Sequence, residues 1–249
     1  MSKPPSKKTG ARRSSPAKST RAQSKREGAD NKPKKRKPQR YRPQKPPRLR
    51  CFFGIRFTLI DEIQSMREDL GALSTNSPDS LRLAPDENLH VTLKFLGSVE
   101  ESNLPILDSI LREVALRHEP MELHARGAGM FKNSCWIGIA EDAALTKLAS
   151  ELDTASMAVG ALNEDKAYVP HVTVARFGKD TKLKLSDIVQ KFAEQEWGTI
   201  AVDQICLYRS DTLPEGARYT VISEAKLGDK PVIDSKPVDE AKEITKGSD

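Results

Sequence analysis

The sequence predicts an α+β fold, and three observations carry the prediction. Between Leu49 and about Leu227, segments with strand-like alternation and segments with helical periodicity are interspersed without strict strand–helix–strand alternation. Several strand-like segments follow one another across short turns, which favours antiparallel pairing. About 180 residues of this kind are enough for a sizeable core.

Each element has its own signal. Residues 49–57 (Leu-Arg-Cys-Phe-Phe-Gly-Ile-Arg-Phe) read as an aromatic-rich strand. Residues 59–73 place Leu59, Ile63, Met66, Leu70 and Leu73 at helical spacing. Residues 81–83 and 89–96 read as strands separated by a turn at Pro85-Asp86. Residues 103–117 form a helix with the stripe Leu104, Leu107, Ile110, Leu111 and Val114, and 121–125 and 135–140 are strands. Residues 142–158 are a helix with Leu145, Leu148, Leu152 and Ala155 on one face. Residues 168–177 are a strand, 183–195 a helix, and 200–208 and 218–226 closing strands joined by a turn at 214–216.

The flanks are different in kind. Residues 1–48 contain no Leu, Ile, Val, Phe or Trp, and are dominated by Lys, Arg, Pro and Ser. Such a segment cannot bury enough apolar surface to offset its ordering entropy, so a disordered basic arm is expected over 1–48, a folded domain over 49–228 and a polar disordered tail over 229–249. The charge follows the same division. Residues 1–50 hold 10 Lys and 9 Arg against Glu27 and Asp30, a net +17, which leaves −11 for the other 199 residues of a chain whose total is +6. A basic arm can contact nucleic acid through phosphates and counterion release. The same composition also fits a solubilising tail or, less well because it lacks an apolar helix face, an organellar transit peptide.

Other classes are excluded or disfavoured. No apolar run approaches the ~18 residues of a membrane span, so no membrane partner is expected, and the N-terminus has no apolar region of a secretory signal. Cys51, Cys135 and Cys206 are odd in number and far apart, which suits neither a disulfide framework nor a zinc site. A cytoplasmic, monomeric protein without metal or cofactor is expected.

The chemistry is concentrated in two tetrapeptides. Of four histidines, two begin nearly the same sequence: His90-Val91-Thr92-Leu93 and His171-Val172-Thr173-Val174. With roughly half of residues apolar and about 5% Thr, two such matches among four histidines arise by chance on the order of once in a thousand sequences. On a strand, His90 and Thr92 share one face while Val91 and Leu93 point into the core; His171 and Thr173 repeat this against Val172 and Val174. Facing one cleft, the two segments would supply two imidazoles that titrate near neutrality and two hydroxyls that can donate to phosphate oxygens. That set can open a cyclic phosphodiester without a metal. His118, near a helix end, and His124, on a polar strand face with Glu122 and Arg126, are expected to be structural. A metal site at His90 and His171 would need a third ligand, which neither motif offers.

These paired His-x-Thr-x motifs resemble those of the 2H phosphoesterase superfamily, and most closely its RNA 2′,3′-cyclic phosphodiesterase branch, also called 2′-5′ RNA ligase or LigT-like. Arg50–Ile55 resembles the family's opening strand, Pro85–Gly97 its first motif, Pro170–Arg176 its second and Leu207–Tyr219 its closing hairpin. The resemblance implies a bilobal α+β fold whose two pseudo-symmetric lobes set the His strands across a central cleft. It implies hydrolysis of RNA ends carrying a 2′,3′-cyclic phosphate, with reversible 2′-5′ ligation as a possible side activity. Carried onto this chain, it makes His90 the proton donor, His171 the proton acceptor and Thr92 and Thr173 the phosphate-binding hydroxyls. Arg176 matches an arginine near the phosphate, although simple alternation puts it on the face opposite His171 unless the strand bulges. Phe53 matches an aromatic that could stack on a base, with a core role as its alternative. Two other functions stay open: a 2H phosphoesterase for another cyclic or 2′-5′ phosphodiester, and a non-catalytic module that holds RNA ends.

Overall fold

The computed structural model describes residues 46–76, 81–161, 167–178, 185–214 and 216–228. The expected arm, apart from its last three residues, and the expected tail lie outside the described residues. Among the described residues nine strands form one sheet: β1 (Arg48–Arg56), β2 (Leu81–Leu83), β3 (His90–Glu100), β4 (Met121–Phe131), β5 (Ser134–Ile139), β6 (His171–Phe177), β7 (Glu196–Val202), β8 (Gln204–Leu213) and β9 (Gly216–Lys226). The helices are α1 (Gln64–Asn76), α2 (Leu104–Ala115), α3 (Ala143–Ser156) and α4 (Leu185–Lys191).

The strand order β7-β4-β5-β6-β3-β1-β8-β9 divides at its middle. β3 and β6 meet through one residue pair, Val91 with Val172, whereas every other neighbour in the order pairs over several residues. The sheet is therefore two four-stranded lobes joined at a narrow seam, with β2 added to β6. α2 and α3 pack on the lobe of β3, β8 and β9; α1 and α4 pack on the lobe of β2 and β4. Among the described residues all the pairings are antiparallel, as the run of short-turn strands favours.

Local sequence explains most of this. Leu107, Leu111 and Val114 of α2, and Leu145, Leu148 and Leu152 of α3, are buried as their spacing dictates. The Asp142 side chain accepts the Leu145 N–H at 2.7 Å and so caps α3. β1 is buried continuously from Cys51 to Ile55 because both of its faces are covered. Phe53 enters the main core, while Phe52 joins a small cluster with Cys206 and Tyr208 on the other side.

Three expectations are corrected. The strand expected over 200–208 is two strands in different lobes: β7 pairs with β4, and β8 pairs with β1 and β9. The chain crosses between lobes at Asp203, whose carbonyl accepts the Leu227 N–H at 2.8 Å. The helix expected from residue 59 begins only at Gln64, after a turn that already buries Ile63. The strand expected to end at Ala125 runs on to Phe131 through an irregularity at Gly127. Gly127 has φ +68°, and a Cβ there would stand 2.6 Å from the Ala193 carbonyl oxygen, so only glycine fits.

Candidate active site

Both histidine motifs sit at the seam between the lobes. Val91 and Val172, which form the seam pair, are fully buried. Alternation then puts His90, Thr92, His171 and Thr173 on the other side, where all four line one cleft of about 670 Å³.

The two imidazoles are held in the same way. His90 Nδ1 lies 2.7 Å from the Asn88 carbonyl oxygen, and His171 Nδ1 lies 2.8 Å from that of Val169. A carbonyl only accepts, so Nδ1 carries the proton in both rings and Nε2 is the nitrogen left to exchange a proton with a ligand. Each ring also meets one aromatic side chain edge-on: Tyr219 against His90 and Phe131 against His171, both at 5.0 Å and 85°. Burial is the main cause that lowers the His90 pKa, to about 4; the Asn88 carbonyl opposes it, and the nearby charges of Arg176 and His171 add to it. Burial likewise lowers the pKa of His171, opposed by the Val169 carbonyl and assisted by Arg176.

Each motif is followed by a bulge. The β1–β3 register steps from Gly54 with Thr92 to Phe53 with Lys94, passing over Leu93. The β5–β6 register steps from Trp136 with Thr173 to Cys135 with Ala175, passing over Val174. Two successive residues are buried at each place, and the next returns to the histidine face. That residue is Phe95 in the first half and Arg176 in the second, and both line the cleft. The bulge thus resolves the conflict between alternation and a phosphate role for Arg176.

Phe53 does not join them. It is 0% exposed and belongs to the core, which excludes stacking on a base. Its neighbour Phe52 packs 4.7 Å from the His90 ring but is also buried. The accessible phenylalanines of the cleft are Phe95, 57% exposed, and Phe131, 43% exposed; Phe95 is a position that sequence alternation could not single out because the bulge precedes it.

The sequence reading also missed Asn88 and two arginines. The Asn88 side chain donates through Nδ2 to the Ala217 carbonyl at 2.7 Å, and its Oδ1 accepts the Tyr219 N–H at 3.2 Å. Its position two residues before His90 was the available signal, but Val169 at the matching place in the second half hides it. Arg82 and Arg218 line the cleft with Arg176. Among the described residues none of these three forms an ion pair, and Glu87 is the carboxylate residue in the lining. No group of three or more His, Cys, Asp or Glu among the described residues stands close enough to hold a metal ion. His118 is buried 3.3 Å from Glu151, and His124 Nδ1 lies 3.1 Å from the Thr199 hydroxyl, both away from the cleft lining.

A family model described as the 2'-5' RNA ligase superfamily matches residues 58–213, a span that contains both motifs. The RNA 2',3'-cyclic phosphodiesterase of Methanothermobacter thermautotrophicus is 31% identical over 180 residues, covering 69% of this chain and 97% of the relative. That of Methanocaldococcus jannaschii is 31% identical over 175 residues, covering 68% and 98%. Among solved structures, TT0787 of Thermus thermophilus superposes with TM-score 0.57 at 25% identity, over 72% of this chain and 98% of that one. Escherichia coli LigT, solved with 3'-AMP, superposes with TM-score 0.54 at 23% identity, over 73% and 99%, and so shares the LigT-like fold that the motifs implied. With the family model covering more than half of the chain, including both His strands and the seam between them, the chain belongs to the 2′-5′ RNA ligase superfamily of 2H phosphoesterases.

Proposed function

We propose that this protein hydrolyses RNA 2′,3′-cyclic phosphate ends to 2′-phosphomonoesters by two-histidine acid–base catalysis, without a metal. The observation that carries the proposal is the pair of imidazoles in one cleft, each fixed through Nδ1 to a backbone carbonyl and each beside a threonine. The names of the relatives support the same substrate class.

In this reading the cyclic phosphate lies between the two threonines, whose hydroxyls donate to its non-bridging oxygens. His171 Nε2 takes a proton from water as the water oxygen attacks phosphorus. The bond from phosphorus to the 3′-oxygen breaks in line, and His90 Nε2 gives its proton to that oxygen. Arg176 offsets the charge that gathers on the phosphoryl oxygens. His90 must be protonated for this step, although burial disfavours it. The entering phosphate supplies the negative charge that restores the imidazolium. If the 5′-hydroxyl of a second RNA takes the place of water, its oxygen bonds to phosphorus as the bond to the 3′-oxygen breaks, His171 takes the hydroxyl proton and His90 protonates the 3′-oxygen. The product is a 2′-5′ linkage formed without ATP, and the reverse of that step cleaves it. Phe95, the more exposed of the two phenylalanines in the cleft lining, is available to stack on the terminal base. The basic arm adds sequence-independent phosphate contacts.

Incubation with an oligonucleotide that ends in a cyclic phosphate, and with a cyclic mononucleotide, tests the proposal. Opening of the oligonucleotide end supports it. Turnover confined to the mononucleotide points to a nucleotide-sized substrate, and binding without turnover of either points to a non-catalytic module.

A further inference from the structure

Arg82 and Arg176 form a registered pair across β2 and β6. Both are exposed, and both line the cleft. Like charges directly opposite on paired strands are destabilising unless something answers them. Among the described residues no carboxylate does so and neither arginine has an ion pair; Arg82 donates from Nη1 to the Pro214 carbonyl at 3.0 Å. The pair therefore presents two guanidiniums to the cleft, side by side, with donors to spare.

Their positions relative to the histidines differ. The charge of Arg176 acts on both imidazoles, and Arg176 lines the cleft with them. Arg82 stands one strand further out, about 4.8 Å across the sheet. From these two facts we infer that Arg82 builds a second anion subsite next to the catalytic one, and that it takes the phosphate on the 5′ side of the terminal nucleotide. The inference rests on the proposed function and narrows its substrate class. The cleft is built for an RNA chain end, in which every terminal nucleotide carries such a phosphate, rather than for a free nucleoside 2′,3′-cyclic phosphate, which has none. The hydrogen bond from Arg82 to Pro214 also ties the subsite to the β8–β9 connection, so the cation is held by both lobes.

The test compares one cyclic nucleoside phosphate with and without a 5′-phosphate. Wild-type kcat/KM should be about 10-fold or more higher for the 5′-phosphorylated form, the value of a charge-assisted hydrogen-bonded contact. Arg82→Gln keeps a donor for the Pro214 carbonyl and removes the charge, and it should bring that ratio close to one. Arg82→Lys should retain part of it. A wild-type ratio near one, or an Arg82→Gln enzyme that loses the same factor on both substrates, would overturn the subsite; the second result would mean that Arg82 only supports the fold. If neither substrate is turned over, the proposed function fails, and calorimetry still decides the subsite. A nucleoside 2′,5′-bisphosphate should then bind wild type about 10-fold tighter than the nucleoside 2′-phosphate, and Arg82→Gln without that difference. Equal affinities in wild type would refute it.

Discussion

Asn88 and Tyr219 hold His90 from two sides. Asn88 accepts the imidazole Nδ1–H on its backbone carbonyl at 2.7 Å and the Tyr219 N–H on its side chain at 3.2 Å, and the Tyr219 ring closes the triangle 5.0 Å from His90. Asn88→Ala leaves the Ala217 carbonyl and the Tyr219 N–H without these partners, a loss of about 1–3 kcal/mol in stability. It also lets the Tyr219 edge of the cleft drift, so kcat should fall while the backbone carbonyl under His90 remains. Denaturant unfolding and steady-state kinetics of the same variant check both parts. Full activity with lowered stability would make Asn88 a structural residue alone.

The histidines and threonines should separate by magnitude. His90→Ala and His171→Ala should each lower kcat by about 10²–10⁴, the range for a general acid or base. Thr92→Val and Thr173→Val each remove one hydrogen bond to phosphate and leave proton transfer intact, so they should cost less, about 10-fold. Steady-state kinetics on one cyclic substrate gives all four numbers. A full-rate His171→Ala enzyme would sink the assignment.

The pH dependence follows from burial. Both imidazoles are held below the ordinary value of about 6.5, His90 near 4. Because kcat/KM reports the free enzyme, its optimum should lie on the acid side of about 6.5. A bound phosphate anion favours the imidazolium, so the kcat profile should sit at higher pH than the kcat/KM profile. Arg176 lowers both histidines, and Arg176→Gln removes that cation, so its kcat/KM profile should also move to higher pH. Profiles that coincide for kcat and kcat/KM, and for wild type and Arg176→Gln, would contradict the electrostatic account.

The bulge after the first motif has a stability signature. Lys94 is 2% exposed and its Nζ lies 2.5 Å from Asp153 on α3. Lys94→Ala strands the partly buried carboxylate and should destabilise by about 3–5 kcal/mol, whereas Lys94→Met with Asp153→Leu should recover most of that. Chemical denaturation of the single and double variants measures it. Equal losses in both would mean that the pair is not what holds the segment.

What the sequence revealed and what it concealed divide along one physical line. Period-two alternation was enough to put His90, Thr92, His171 and Thr173 on a common face, because each pair lies before its bulge. It fails beyond the bulges: Phe95 and Arg176 reach the cleft only because an extra residue resets the phase, and a bulge leaves no mark in composition. The same limit left Phe53 undecided between base and core, since a strand buried on both faces shows no polar side from which to choose. The β7–β8 junction was hidden because apolar residues continue on both sides of Asp203 while their partners change lobes. Asn88 and Arg82 were invisible for a different reason. Their partners, Tyr219 and Pro214, are more than 120 residues away, and only the closed fold brings them together.

Phosphorus NMR of a nucleoside 2′,3′-cyclic phosphate digested in excess EDTA tests the central claim most directly. Two histidines fixed on facing strands define one line of attack, so one product should dominate. The account predicts the 2′-phosphate with a free 3′-hydroxyl, formed at an undiminished rate without divalent metal. Mainly 3′-phosphate would mean that the substrate lies the other way round and that the donor and acceptor roles of His90 and His171 are exchanged. Loss of turnover in EDTA, restored by a divalent ion, would contradict the two-histidine mechanism itself.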